Sequence, residues 1–180
     1  MGVVSPYLDS VIEFSSSYNQ VLDILFDDGT ITEPVTLAEA KNFCKIDDIT
    51  DDDALITELI TAAREECEGI TCIGFIERGV TAIMDNNNGG GYLPYGPIGT
   101  VTFIDGVAPT TDQIMGEQWK QLMVTGSRIK VEYTGGYTTL PYKLKLAMLQ
   151  CIFYLYDERK RREDAFPPTY LETLKGYSRK

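Results

Sequence analysis

The sequence predicts an α+β fold, a small helical bundle of three main helices with an antiparallel β-sheet or hairpin inserted between the second and third. Three observations carry this. Apolar residues recur at helical spacing in three stretches, 36–46, 51–69 and 141–162. Between the last two, residues 75–134 change texture: VTAIM (80–84), TVTFI (100–104) and RIKVEY (128–133) are rich in β-branched and aromatic residues. Turn chemistry separates these runs, at NNNGGG (86–91), Pro94 to Gly99 and Asp105-Gly106.

Taken in order, residues 1–33 form an N-terminal extension with two short apolar runs, Val11 to Phe14 and Val21 to Phe26, expected as strands, and a turn signal at Asp28-Gly29. The next stretch, PVTLAEAKNFCKID, opens a helix. Thr36 followed three residues later by Glu39 is the capping-box spacing, and Leu37, Ala40, Phe43 and Cys44 fall on one face. In the second helix Asp51, Asp52 and Asp53 suit the N-terminus, by capping and by the macrodipole. Leu55, Ile56, Leu59, Ile60, Ala63 and Cys67 make its apolar stripe, Glu58, Arg64, Glu65 and Glu68 its expected outer face, and Gly69 its expected C-cap. In the insertion, three to five strands are expected. Residues 113–124, holding Trp119, read equally as a strand pair or a short helix, with Trp119 a core or sheet-edge anchor.

Gly135-Gly136 break the sheet pattern and Pro141 stands where a helix tolerates a missing N–H. The helix that follows carries two apolar stripes, Leu144, Met148, Cys151 and Leu155, and Leu146, Leu149, Phe153 and Tyr156. A surface helix needs one stripe; a second predicts packing nearly all round. Leu146, Leu149, Phe153 and Tyr156 are therefore the candidate subunit interface. Arg159 to Arg162 place four cations on its last turn. The tail, 165–180, is broken by Pro167-Pro168, after which Tyr170, Leu171, Leu174 and Tyr177 make a short amphipathic element. It is expected to dock on a partner or to lie as a flap on its own core.

Composition bounds the chemistry. The 180 residues include no histidine, which removes imidazole acid–base catalysis and histidine metal sites. The four cysteines, at 44, 67, 72 and 151, lack the paired spacing of a zinc site and read as buried free thiols. DDITDDD (47–53) has neither the alternation nor the central glycine of a calcium loop, and NNNGGG lacks the Lys-Ser/Thr of a phosphate loop. No metal, cofactor or catalytic residue is expected. MGVVSP loosely matches a myristoylation pattern but has no polybasic partner, and no apolar run approaches the roughly 20 residues of a membrane span. Charge is uneven: residues 1–120 hold 21 acids and 5 bases, residues 121–180 hold 6 acids and 11 bases. An acidic body with a basic end disfavours wholesale DNA binding and suits either solvated faces or complementarity between copies.

PVTLAEAKNFCKID, the acidic break, DDDALITELITAAREECEGIT, LPYGPIGTVTFIDG and IKVEYTGGYTTLPYKLKLAMLQCIFYLYDERKRRED together resemble the head–tail connector (adaptor) family of tailed bacteriophages across residues 34–164. Cys72-Ile73 departs from the family's usual glycine-containing turn, and Lys45 replaces a common arginine. The resemblance implies a non-enzymatic virion protein of the neck, present in the host cytoplasm during assembly. Copies would form a ring, expected to be a dodecamer, contacting the portal protein above and a tail, stopper or tail-completion protein below. Genomic double-stranded DNA would pass its bore without specific contact, and no membrane would be involved. Residues 165–180, with Pro167, Pro168, Tyr170, Leu171, Leu174 and Tyr177, would be the portal-docking tail. The alternatives are an acidic homo-oligomeric binding module without a virion role and, more remotely, a hydrolase using Asp51–Asp53, Glu65, Glu66 and Glu68.

Overall fold

A computed structural model describes residues 19–27, 29, 31–46, 50–157 and 169–177. The Val11–Phe14 run, the MGVVSP start, Arg159 to Arg162 and Pro167-Pro168 lie outside them. The described chain runs β1 (Asn19–Phe26), α1 (Leu37–Cys44), α2 (Asp53–Thr71), β2 (Arg78–Asn86), β3 (Gly91–Tyr92), β4 (Ile98–Ile104), β5 (Ile114–Met115), β6 (Gln121–Leu122), β7 (Gly126–Gly135), α3 (Tyr142–Asp157) and α4 (Thr169–Lys175).

The first helix begins where its capping box puts it. The Thr36 hydroxyl accepts from the Glu39 N–H at 3.2 Å, and the Glu39 carboxylate accepts from the Thr36 N–H at 2.9 Å. Lys45 ends it in the left-handed conformation at φ 56°. Two helix-end expectations are corrected. Asp52 is the N-cap residue of α2 but makes no side-chain capping bond. Nor does Gly69 end that helix, which continues to Thr71 and stops at Cys72, φ 56°, whose N–H reaches the Glu68 carbonyl at 2.8 Å. In α3 the Pro141 carbonyl accepts from the N–H groups of Leu144 and Lys145, so Pro141 precedes the helix and supplies its first acceptor.

The sheet insertion is larger than three to five strands. An antiparallel sheet of order β1-β2-β7-β4 is covered on one face by a small sheet of order β3-β6-β5. Residues 113–124 thus settle as the strand pair β5–β6, not a helix. Register fixes the inner face: Val80 pairs with Tyr133, Ala82 with Val131 and Met84 with Ile129, all six buried, with Leu93 and Leu122 of the covering sheet closing the core. Asn86 pins the cover. Its buried amide donates to the carbonyls of Leu122 (2.6 Å) and Val124 (2.7 Å) and its oxygen accepts from the Gly91 N–H (3.0 Å). Trp119, half-buried, lies against Gly96, where a Cβ would run into the indole. β1, from the expected N-terminal extension, is the edge strand beside β2.

The helices build a second core. Ile56, Ile60, Ala63 and Cys67 of α2 meet Leu144, Ala147, Met148, Cys151 and Ile152 of α3, with Val35, Ala40, Phe75, Tyr170 and Leu174. The 72–76 segment joins the two cores. It is held by Gly74 N–H to Gly96 carbonyl (3.0 Å), Tyr95 N–H to Cys72 carbonyl (3.1 Å) and Tyr137 N–H to Gly74 carbonyl (3.1 Å). Gly136, at φ 104°, has no room for a Cβ beside the Ile76 carbonyl, so the glycine is required there.

Candidate functional site

Between the two cores sits a buried charge network that the sequence reading placed on the solvent side. Arg64 and Glu68, expected to face out, are 1% and 2% exposed. The reason is that, besides pairing with each other, both find partners outside α2. Arg64 donates through Nε to both Glu33 carboxylate oxygens (3.1 and 3.0 Å) and through Nη1 to Glu68 (3.1 Å). Glu68 also accepts from Arg78 Nη2 (2.7 Å) and from the Phe75 N–H (2.7 Å). The Arg78 guanidinium in turn covers the Phe26 ring at 3.6 Å, and Phe26 meets Tyr95 edge-on at 4.8 Å. Burial pushes the Glu68 carboxyl above its ordinary range, against the pull of the Phe75 N–H and the two guanidiniums. For Arg64, burial opposes the charge, but Glu68 and Glu33 outweigh it and raise the guanidinium further.

Beside this network opens a cleft of about 590 Å³, lined among others by Asp27, Glu33, Arg78, Tyr137, Thr139 and Lys145. Both signs of charge meet there. The acids considered for hydrolysis do not converge. Asp53 accepts from Lys41 (2.7 Å), Asp52 from the Tyr156 hydroxyl (2.7 Å), Glu66 from the Tyr170 hydroxyl, and Glu68 belongs to the buried network. Among the described residues no group of three or more histidine, cysteine or acidic side chains could hold a metal ion. No described helix is long and apolar enough to cross a membrane. Cys67 and Cys151 are buried and Cys44 and Cys72 partly so; all four are free thiols. A hydrogen bond with Cys151, then burial, raises the Cys67 thiol.

The candidate interface on α3 is divided by the structure. Leu149 and Tyr156 are half-buried against the helical core, and Tyr156 is turned to Asp52. Leu146 is half-buried and Phe153 is 45% exposed. Phe43, expected on the buried face of α1, instead lies out at its margin and meets Phe153 edge-on at 6.4 Å. The sequence reading missed Phe43 as a surface residue because Lys41 takes the inner place, its ammonium on Asp53 and its stem covered.

The tail residues are also divided. Tyr170 and Leu174 are in the helical core, 2% and 0% exposed, and Tyr170 meets Tyr154 edge-on at 5.9 Å. Leu171 and Tyr177 are half-buried beside them. Within the described residues α4 is thus a flap on α2 and α3. Any docking through this tail has only Leu171 and Tyr177 of the described anchors left partly open.

Comparison with known proteins agrees with this architecture. Among curated proteins none matches. Three solved chains share the fold. One is from the virion of the native gene transfer agent (GTA) particle, 19% identical, TM-score 0.68, covering 86% of this chain and 95% of that one. The second is from the neck of the empty GTA particle computed with C6 symmetry, 20% identical, TM-score 0.62, with the same coverage. The third is from the neck of the native GTA particle computed with C12 symmetry, 19% identical, TM-score 0.60, covering 86% of this chain and 94% of that one. A family model described as the phage gp6-like head-tail connector protein matches residues 34–101, from the β1–α1 linker through α1, α2 and β2 into β4. Over residues 34–101 the chain is thus similar to the phage head–tail connector family.

Proposed function

We propose that this chain is a virion structural protein, one subunit of a neck ring beneath the portal that joins the DNA-filled head to the tail and lines the DNA passage. The observation that carries this is the coincidence of the connector-family match with a fold shared, over most of both chains, with proteins of solved particle necks. Rings with six-fold or twelve-fold symmetry in those necks support a homo-oligomeric ring, for which a dodecamer is the natural count. The portal lies on one side of the ring and the tail, stopper or tail-completion protein on the other, and the ring assembles in the host cytoplasm. The net charge of −11 per copy fits a bore that repels passing DNA instead of gripping it. No enzymatic step is assigned, in keeping with a structural family and with acids that do not converge.

The test is location. Particles carrying a small tag on this chain, imaged with a tag-specific antibody, are expected to show label only at the head–tail junction. Label on capsid faces or the tail tip, or absence of the chain from purified particles, overturns the proposal.

A further inference from the structure

We infer that the outward face of α3, completed by Phe43 of α1, is the seat of a second copy of this chain, held head-to-tail with the seated copy presenting its acidic α2 side. This rests on the ring reading above and deepens it by naming the surface. Residues 146–156 of α3 contain no charged side chain. A helix apolar all round is covered all round in a stable structure, yet among the described residues one side of α3 has no cover. Tyr142 is 75% exposed, Phe153 45% and Phe43 36%, with Leu146 half-buried between them. At helical spacing Tyr142, Leu146 and Phe153 share one line, and Phe43 extends it across to α1 through its edge-on contact with Phe153.

Charge selects the occupant. Two lysines, Lys45 at the end of α1 and Lys143 in the first turn of α3, are exposed on the two helices that build this apolar face. A partner suited to it is apolar at the centre and acidic at the edge. This chain supplies that acidity itself: Asp51, Glu58 and Glu65 are exposed at or along α2, within the first 120 residues, which hold 21 acids and 5 bases. A surface that meets a different surface on the next copy makes a heterologous contact, and such contacts close into rings. The four-stranded sheet is a poorer candidate for propagation, because both its edge strands, β1 and β4, carry register shifts that interrupt a continuous ladder.

The experiment compares the full chain with Phe43→Glu and Phe153→Glu by sedimentation over a concentration series. Thermal melting of each dilute sample shows whether the fold is kept. The parent is expected to self-associate, and each variant to do so at least tenfold more weakly at an unchanged melting temperature. Lys143→Glu, which leaves the apolar face intact, is expected to weaken association in a way that added salt abolishes. A parent that stays monomeric throughout, or variants that associate like the parent, overturns the inference. Neither result touches the location of the chain in the particle, which the labelling experiment decides alone.

Discussion

Glu68→Gln is the sharpest perturbation available, because it keeps the volume of the side chain and removes only its charge. In the native structure the Glu68 carboxylate accepts three hydrogen bonds at 3.1, 2.7 and 2.7 Å from Arg64, Arg78 and the Phe75 N–H. A glutamine supplies one oxygen and no charge for these three donors, so its NH₂ group faces either the two guanidiniums or the Phe75 N–H. Arg64 keeps Glu33, whose side chain is 21% exposed, but Arg78 forms no other ion pair among the described residues. Its Nε is already buried without a hydrogen-bond partner. Breaking one partner out of a buried ion pair costs roughly 3–5 kcal/mol. In a chain of this length each kcal/mol lowers Tm by about 2–4 °C, so the variant is expected to melt roughly 6–20 °C below the parent. Glu65→Gln is the control: its contact with Arg64 is 3.4 Å and its side chain 66% exposed, so its change should stay below about 1 kcal/mol, the scale of a surface pair, or at most about 4 °C. Adding Arg78→Met to Glu68→Gln should cost less than the two changes separately, since the second removes the cation that the first strands. Thermal and urea unfolding read the parent and the four variants, Arg78→Met alone included. A Glu68→Gln protein melting within about 3 °C of the parent would refute the claim that this network holds the junction.

Three further outcomes are expected. Asn86→Ala removes its amide from the Val124 carbonyl, the Gly91 N–H and the Leu122 carbonyl, the last of which keeps the Gly90 N–H, at roughly 1–3 kcal/mol for each group left unsatisfied, so hydrogen exchange should accelerate in residues 91–93 and 121–124 while α2 and α3 stay protected. Deletion after Asp164 removes Tyr170 and Leu174 from the core, each burial worth about 1.5–3 kcal/mol, and a melting temperature equal to the parent's would show that α4 is not a stabilising flap. The Glu39 carboxyl is held below its ordinary range by Lys145, then by the Thr36 N–H. Because the folded value is the lower one, its stabilisation is complete above the unfolded value and is lost as pH falls through the folded value. Lys145→Gln should therefore lower the urea midpoint at about pH 7 and leave it unchanged near about pH 2, with an effect of at most about 1 kcal/mol because the Glu39 side chain is 43% exposed.

What the sequence made legible follows from how local each signal is. Thr36 and Glu39 announce α1 because both halves of the capping box lie within three residues. VTAIM, TVTFI and RIKVEY announce β2, β4 and β7 because each is long enough to show its composition. The covering sheet escaped a firm reading because β3, β5 and β6 are two residues each, too short for any alternation. Arg64 and Glu68 were misplaced for a different reason. A helical wheel reports only the face, and theirs is buried by partners that lie 31 residues before Arg64 and 10 after Glu68. Cys72 shows the same limit at a helix end: Gly69 has the better intrinsic stop, but the 72–76 bonds to Tyr95, Gly96 and Tyr137 carry the helix past it.

The charged junction ties a bundle and a sheet with separate cores into one unit. Each core is closed by its own apolar residues, so burial alone would leave their relative orientation weakly specified. Arg64 and Glu68 come from the bundle, Arg78 and Phe26 from the sheet, and Glu33 from the linker between them. Ion pairs and the guanidinium–ring stack are directional where apolar contact is not, so a small rotation of the sheet on the bundle breaks several bonds together. Their desolvation makes the net gain in stability modest, and what the network supplies in return is one orientation. In the ring proposed above, a subunit presenting α3 to its neighbour would need that, since an angular error between its two parts would repeat in every copy and prevent closure.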